Sequence, residues 1–175
     1  NRRRYGGYIV HFGVVLLFIG FTGNAFNKES EAGLKYGETM DIGSYHLVYE
    51  GYKENQNPLT VVIQTQLGVY QNEKRLGTLW PEQHIYYKRK DQQRTTEVAI
   101  RSTLQEDLYV LYEGQNQDDI AFFRAYVNPL VMWVWIGAYI ITFGTIVTMW
   151  PDRKGVLQRQ RMSLDPIRKK QGVGT

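Results

Sequence analysis

Cysteine is absent from all 175 residues. That excludes a disulfide scaffold, a thiolate metal site, a cysteine nucleophile and thioether attachment of haem to this chain. Only three histidines are present, which leaves little room for a catalytic metal site built from histidine. Recognisable nucleotide and hydrolase signatures are also missing. No Walker loop, no strand-linked G-x-G-x-x-G, no H-E-x-x-H and no G-x-S-x-G occurs. The acidic pairs Glu106–Asp107 and Asp118–Asp119 read as solvated turns rather than acid/base pairs.

Two long stretches lack charge. Tyr8 to Phe26 holds 19 residues with no Asp, Glu, Lys or Arg, and its one histidine is His11. Pro129 to Trp150 holds 22 residues whose only ionisable side chain is Tyr139. At about 1.5 Å per helical residue, each spans the hydrocarbon thickness of a bilayer. The mean hydropathy of −0.40 conceals both runs, because it averages them with a polar middle. A signal peptide is a poorer reading of the first run, which is long for a signal core and is not followed by a small-residue cleavage site. Both runs are therefore expected to span a membrane.

Charge orients them. Arg2, Arg3 and Arg4 precede the first run, and the tail after Trp150 carries seven Lys and Arg against Asp152 and Asp165. With a whole-chain charge of +4, residues 27–128 are left at −4. The positive-inside rule then puts both ends in the cytoplasm and the middle outside. Tyr5 and Tyr8, and Trp133, Trp135 and Trp150, suit the membrane interfaces. Pro129 suits the first position of a helix, and Pro151 closes it. The expected layout is a basic flank over 1–7, a span over 8–26, an exported all-β domain over 27–128, a span over 129–150 and a basic tail over 151–175. Within the middle, short runs rich in β-branched and aromatic residues alternate with Gly, Asn and Asp turns. They predict about eight strands in a small barrel or sandwich, with no convergent polar cluster. Lys88, Arg89 and Lys90, near Tyr86 and Tyr87, read as a charged strand edge rather than a nucleic-acid contact. The first residue is Asn rather than Met, so the chain is expected to be part of something longer or a naturally split subunit.

His11 is the feature that points to chemistry. Seven residues after Arg4, it lies about 10 Å into the cytoplasmic leaflet of a helix. Ionisable groups at that depth are rare and usually functional, and neutral imidazole is a common axial ligand of haem iron. At 100° per residue, Gly7, His11, Phe18 and Thr22 share a face, while Gly6, Gly13 and Gly20 lie opposite. A flat prosthetic group suits the first face and a neighbouring helix the second. Spacing alone leaves open a histidine that merely hydrogen-bonds to another helix. Met132 and Met149 are conceivable sulfur ligands, though methionine in an apolar span is usually packing. The carbonyl of Gly7 is committed to its own helix, so the group that orients the His11 ring is expected from elsewhere. His46 and His84 read as surface or rim histidines of strands.

Three stretches carry a family resemblance. RRRYGGYIVHFGVVLLFIGFTG, VAIRSTLQEDLYVL and VNPLVMWVWIGA resemble the carboxy-terminal end of the CcmF family of cytochrome c-type biogenesis proteins, within the haem-handling protein superfamily. The resemblance covers nearly the whole chain, most specifically at the first and third stretches. It implies the last two spans and the intervening exported domain of a bacterial inner-membrane haem lyase in system I cytochrome c maturation. It further implies CcmH-like and CcmE-like partners, apocytochrome c as acceptor, no nucleic-acid partner, and a membrane-embedded haem b. One axial ligand of that haem matches His11 within GGYIVHFG; the other is expected on an earlier span that this chain lacks. The tryptophan-rich WWD segment of the family is missing, and His46 and His84 match none of its motifs. The segment alone is thus expected not to form thioether bonds, although the full-length enzyme would. The alternatives are a non-catalytic membrane-anchored β-domain that recruits partners, and a haem exporter subunit.

Overall fold

The computed structural model describes residues 2–86 and 94–150. The Lys88–Lys90 run and the basic tail after Trp150 lie outside the described residues. Among the described residues, 2–14 and 138–150 belong to one compact unit, and those between 15 and 137 form the other.

Two helices open and close the described chain: α1, Arg2–Thr22, and α2, Val131–Met149. A 3-10 turn, Gly23–Phe26, follows α1. The segments Arg3–Phe26 and Val131–Met149 are long and apolar enough to cross a membrane. They are not core helices of a globule, because only 22% and 11% of their most apolar windows are buried. Phe12, Phe18, Phe21, Trp135 and Phe143 are all exposed. The threonine hydroxyls of α2 are accounted for internally. Thr142, Thr145 and Thr148 donate to the carbonyls of Ala138, Ile141 and Gly144 at 2.8–2.9 Å, which suits an apolar surrounding.

Between the helices lie ten strands: β1 (Lys28–Leu34), β2 (Thr39–Ile42), β3 (Tyr45–Gln56), β4 (Thr60–Gln71), β5 (Lys74–Leu79), β6 (Glu82–Tyr86), β7 (Arg94–Glu97), β8 (Ala99–Ser102), β9 (Glu106–Gln115) and β10 (Ala121–Pro129). They form two sheets whose strand pairs are all antiparallel. One has the order β1-β10-β9-β8; the other is β2-β3-β4-β6-β7, with β5 also on β4. Period-2 alternation selects the inner faces. Tyr45, Leu47 and Tyr49 of β3 face inward, as do Leu67 and Val69 of β4, Leu108, Val110 and Tyr112 of β9, and Phe123, Ala125 and Val127 of β10. The sheets meet through an aromatic triad. The Phe123 ring lies 5.2 Å from that of Tyr49 and 5.6 Å from that of Tyr112. Outside this core, Arg124 spans β10 to both neighbours, its Nε 2.7 Å from Glu31 and 3.0 Å from Glu113.

Two strands exceed the expected count, each for a physical reason. KESEAGL carries no β-branched residue, so it has no strand signature of its own; β1 exists because it pairs with β10 from Lys28↔Val127 to Leu34↔Ala121. The run TEVAIRST is continuous in sequence but breaks at Val98. Its first half pairs with β6 and its second with β9, so the chain changes sheet there. Pro129 is not the first residue of α2. It ends β10 opposite Glu106, at a strand terminus where its missing N–H is tolerated. Leu130 then takes φ +62° to turn the chain into α2, its N–H donating to Gln105 O at 2.8 Å. Trp133 adds a second tie, donating from Nε1 to Leu104 O at 2.9 Å. Asp118–Asp119 forms a turn as expected, but Asp107 is 96% buried, with only 4% exposed, and accepts from Tyr109 OH at 3.4 Å. A β-bulge in β3 falls at Gly51, whose φ of +111° few other residues tolerate.

Burial raises two core tyrosines far above the usual phenol range. Tyr112 is pushed up to about 12 by burial. Tyr45 also reaches about 12, through burial and then the adjacent Glu106 carboxylate. A raised phenol pKa favours the folded state while the phenol stays neutral. The contribution is complete below about pH 10, the unfolded value, and disappears as pH climbs toward 12. Alkaline unfolding of the β-domain is therefore expected within that window. Tyrosinate absorbance of Tyr45 and Tyr112 should appear together with loss of strand circular dichroism; early titration of both rings in a folded domain would contradict it.

Candidate functional site

α1 presents two unlike faces. One is a glycine-lined seam: Gly6, Gly13, Leu16 and Gly20 are buried, and Gly23 of the following 3-10 turn continues it. Their spacing of three, four or seven keeps them on one stripe. In the first unit, a Cβ on Gly6 would collide with Thr148 Oγ1, and it would lie 2.9 Å from Gly144 O. Reciprocally, a Cβ on Gly144 would lie 2.9 Å from the backbone nitrogen of Val10. In the second unit, a Cβ on Gly20 would come within 2.5 Å of Val134 Cγ2 and 2.9 Å of Val134 N. Only hydrogen at these positions lets the two backbones approach so closely. The expected helix-packing role of the glycine side is what the structure displays. Gly20→Leu is accordingly expected to destabilise the described fold by about 1–3 kcal/mol through overpacking. Thermal melts in detergent against wild type check this, with the same change at outward-facing Val15 as the control.

The other face carries His11, exposed on α1. Its Nδ1 lies 2.8 Å from Gly7 O, one turn back. The expectation of an external orienting group is therefore corrected. A carbonyl oxygen has two lone pairs, so Gly7 O can serve the helix ladder and still accept from an imidazole N–H. With Nδ1 as the donor, Nε2 is the ring nitrogen left with a lone pair, directed away from the helix backbone. Gly7 leaves room beside it, because a Cβ there would meet nothing within 4 Å. One turn toward the amino end, Arg4 Nε donates to Tyr8 OH at 3.0 Å. An exposed imidazole with a held tautomer, a free Nε2 and an open neighbouring position fits the ligand requirements of a planar metalloporphyrin. Met149 is exposed at the last residue of α2, and Met132 is half-buried in its first turn.

The other two histidines lie on the outer face of the larger sheet. His46 Nδ1 is 2.6 Å from Asp41 Oδ1 across the β2–β3 pair, and both side chains are exposed. His84 is half-buried on β6, between Glu82 and Glu97. The β-domain does hold a convergent polar cluster, contrary to expectation. Elsewhere on the domain, a cleft of about 490 Å³ is lined by Lys35, Tyr36, Tyr52 and Asp119.

A β-sandwich joined to two helices long and apolar enough to cross a membrane, one of them bearing an exposed imidazole, defines the class of protein. The family model described as the CcmF C-terminal beta-sandwich matches residues 25–129, and the chain belongs to that family. Among similar proteins, the cytochrome c-type biogenesis protein CcmF of Pseudomonas fluorescens is 28% identical over 163 residues, covering 93% of this chain and 24% of the relative. CycK of Rhizobium meliloti is 28% identical over 167 residues, with the same coverage of each. A solved structure titled Cytochrome c Heme Lyase CcmF superposes with a TM-score of 0.70 at 23% identity. It covers 86% of this chain and 25% of that one, a likeness of fold. The chain spans about a quarter of the length of the curated relatives it matches.

Proposed function

We propose that this chain supplies one axial imidazole, His11, to a b-type haem within the membrane, as part of a haem lyase of system I cytochrome c maturation. The observation that carries this reading is the His11 ring itself, with Nδ1 held by Gly7 O and Nε2 free on an open helix face. The relatives' names, as cytochrome c-type biogenesis proteins, support the pathway. When bound, the haem would supply one-electron chemistry at iron. The chain's own part is to ligate, to hold the imidazole tautomer and to keep α1 against α2. The second axial ligand belongs to another span of the whole protein.

The charge pattern supports an inner-membrane orientation with both ends cytoplasmic and the sandwich in the periplasm. There the sandwich would serve as a docking surface for apocytochrome c and for CcmH-like and CcmE-like components. Thioether formation is proposed for the whole protein and not for this segment. His11→Ala in a full-length family member tests the reading through the haem retained during purification. Unchanged haem content would favour instead an anchored β-domain that recruits partners.

A further inference from the structure

Sequence alternation places Glu82 and His84 on the same outer face of β6, because they are two residues apart in a strand. The register Glu82↔Glu97 then sets the last residue of β7 beside them. His84 Nε2 lies 3.3 Å from Glu82 Oε2 and 3.6 Å from Glu97 Oε1, and one ligand atom from each residue falls within 4.8 Å of the others. These separations are long for charge-assisted hydrogen bonds, which settle at about 2.7–2.9 Å. They suit a shared cation better. A tetrahedral Zn²⁺ bound at about 2.0–2.1 Å holds its ligand atoms about 3.3–3.4 Å apart.

The surroundings favour preorganisation. Glu82 offers Oε2 because its other oxygen accepts from Gln64 Nε2, from the next strand along. The His84 and Glu82 side chains are only 19% and 23% exposed, while Glu97, at 63%, leaves the site open to an incoming ion and a water. One imidazole and two carboxylates with an open fourth position form a donor set for a borderline first-row divalent cation.

We propose that Glu82, His84 and Glu97 form a binding site for a divalent transition-metal cation, of which Zn²⁺ is the natural probe. The site would tie β7 to β6 immediately before the chain leaves one sheet for the other at Val98. Its role is then to secure an edge strand of the sandwich, independently of His11.

The test is calorimetric titration of Zn²⁺ into the full chain in detergent, after removal of metal with a chelator. His11→Ala and His46→Gln are carried in every sample, which leaves His84 as the sole imidazole. One saturable site is expected. Glu97→Gln and His84→Asn should each weaken it at least about tenfold, since even changes beyond the ligands themselves have effects of that size. Zn²⁺ should also raise the Tm of the parent chain but not that of Glu97→Gln, whose exposed position tolerates the substitution. Absence of a saturable site, or equal affinity and an equal rise in Tm with Glu97→Gln, would overturn the assignment.

Discussion

A full-length family member carrying His11→Ala is expected to lose the reduced-haem absorbance associated with this segment while remaining in the membrane. Alanine removes the only described imidazole on α1 but leaves the helix former in place, so insertion and the glycine seam should survive. The informative companion is Gly7→Leu. It keeps His11 and the position-7 carbonyl that accepts from Nδ1, but fills space that is empty beside the ring. If a planar group occupies that space, haem affinity should fall by about tenfold or more, the scale on which groups around a metal ligand act. A histidine whose role is only to hydrogen-bond another helix predicts a different pattern, in which haem content is untouched by either change. Haem retained through purification, read against immunodetected protein in the membrane fraction, separates these outcomes.

Truncating Phe123 should have the largest effect on stability. Its ring is 1% exposed, meets Tyr49 of the other sheet and packs beside Tyr112 of its own. Phe123→Ala removes the centre of that triad and leaves a cavity that two rigid sheets are poorly able to close, at a cost of about 3–5 kcal/mol. That is a large share of the roughly 5–15 kcal/mol available to an ordinary domain. The adjacent Phe122 points to the other face and is 43% exposed, so Phe122→Ala should cost only about 1 kcal/mol. Denaturant titration followed by strand circular dichroism measures both. Equal losses at the two positions would show that the triad does not organise the core.

The contrast between neighbouring phenylalanines shows how much was legible beforehand. Alternation of Tyr45, Leu47 and Tyr49 with His46, Val48 and Glu50 was readable as a strand with one buried face, because burial imposes a period of two on residue polarity. The alternation of Val98 and Ile100 with Ala99 and Arg101 marked no buried face, since Val98 and Ile100 are both exposed. Helical arithmetic likewise separated Gly6, Gly13 and Gly20 from His11, and the seam lies on the glycine side. β1 was not readable, since its glutamates and small residues resemble a linker until β10 offers a ladder to pair with. Nor was the sheet switch at Val98, because the local pattern of TEVAIRST continues smoothly across it. The tether on His11 was misjudged for a different reason. Counting Gly7 O as satisfied by the helix overlooks its second lone pair, and only the observed rotamer reveals that the ring uses it.

Composition and order along the chain were enough to determine two long uncharged runs, their basic flanks, a strand-rich middle and a lone histidine within the first run. Each of these follows from hydrophobicity and period, which are local properties. The three-dimensional structure decided which of the two His11 nitrogens is free, and which strand ends which sheet. It also decided that Glu97 stands beside Glu82 and His84 despite the intervening chain. Strand register is set by packing between segments that are distant in sequence, whereas the His11 rotamer is held within its own helix by the carbonyl one turn back.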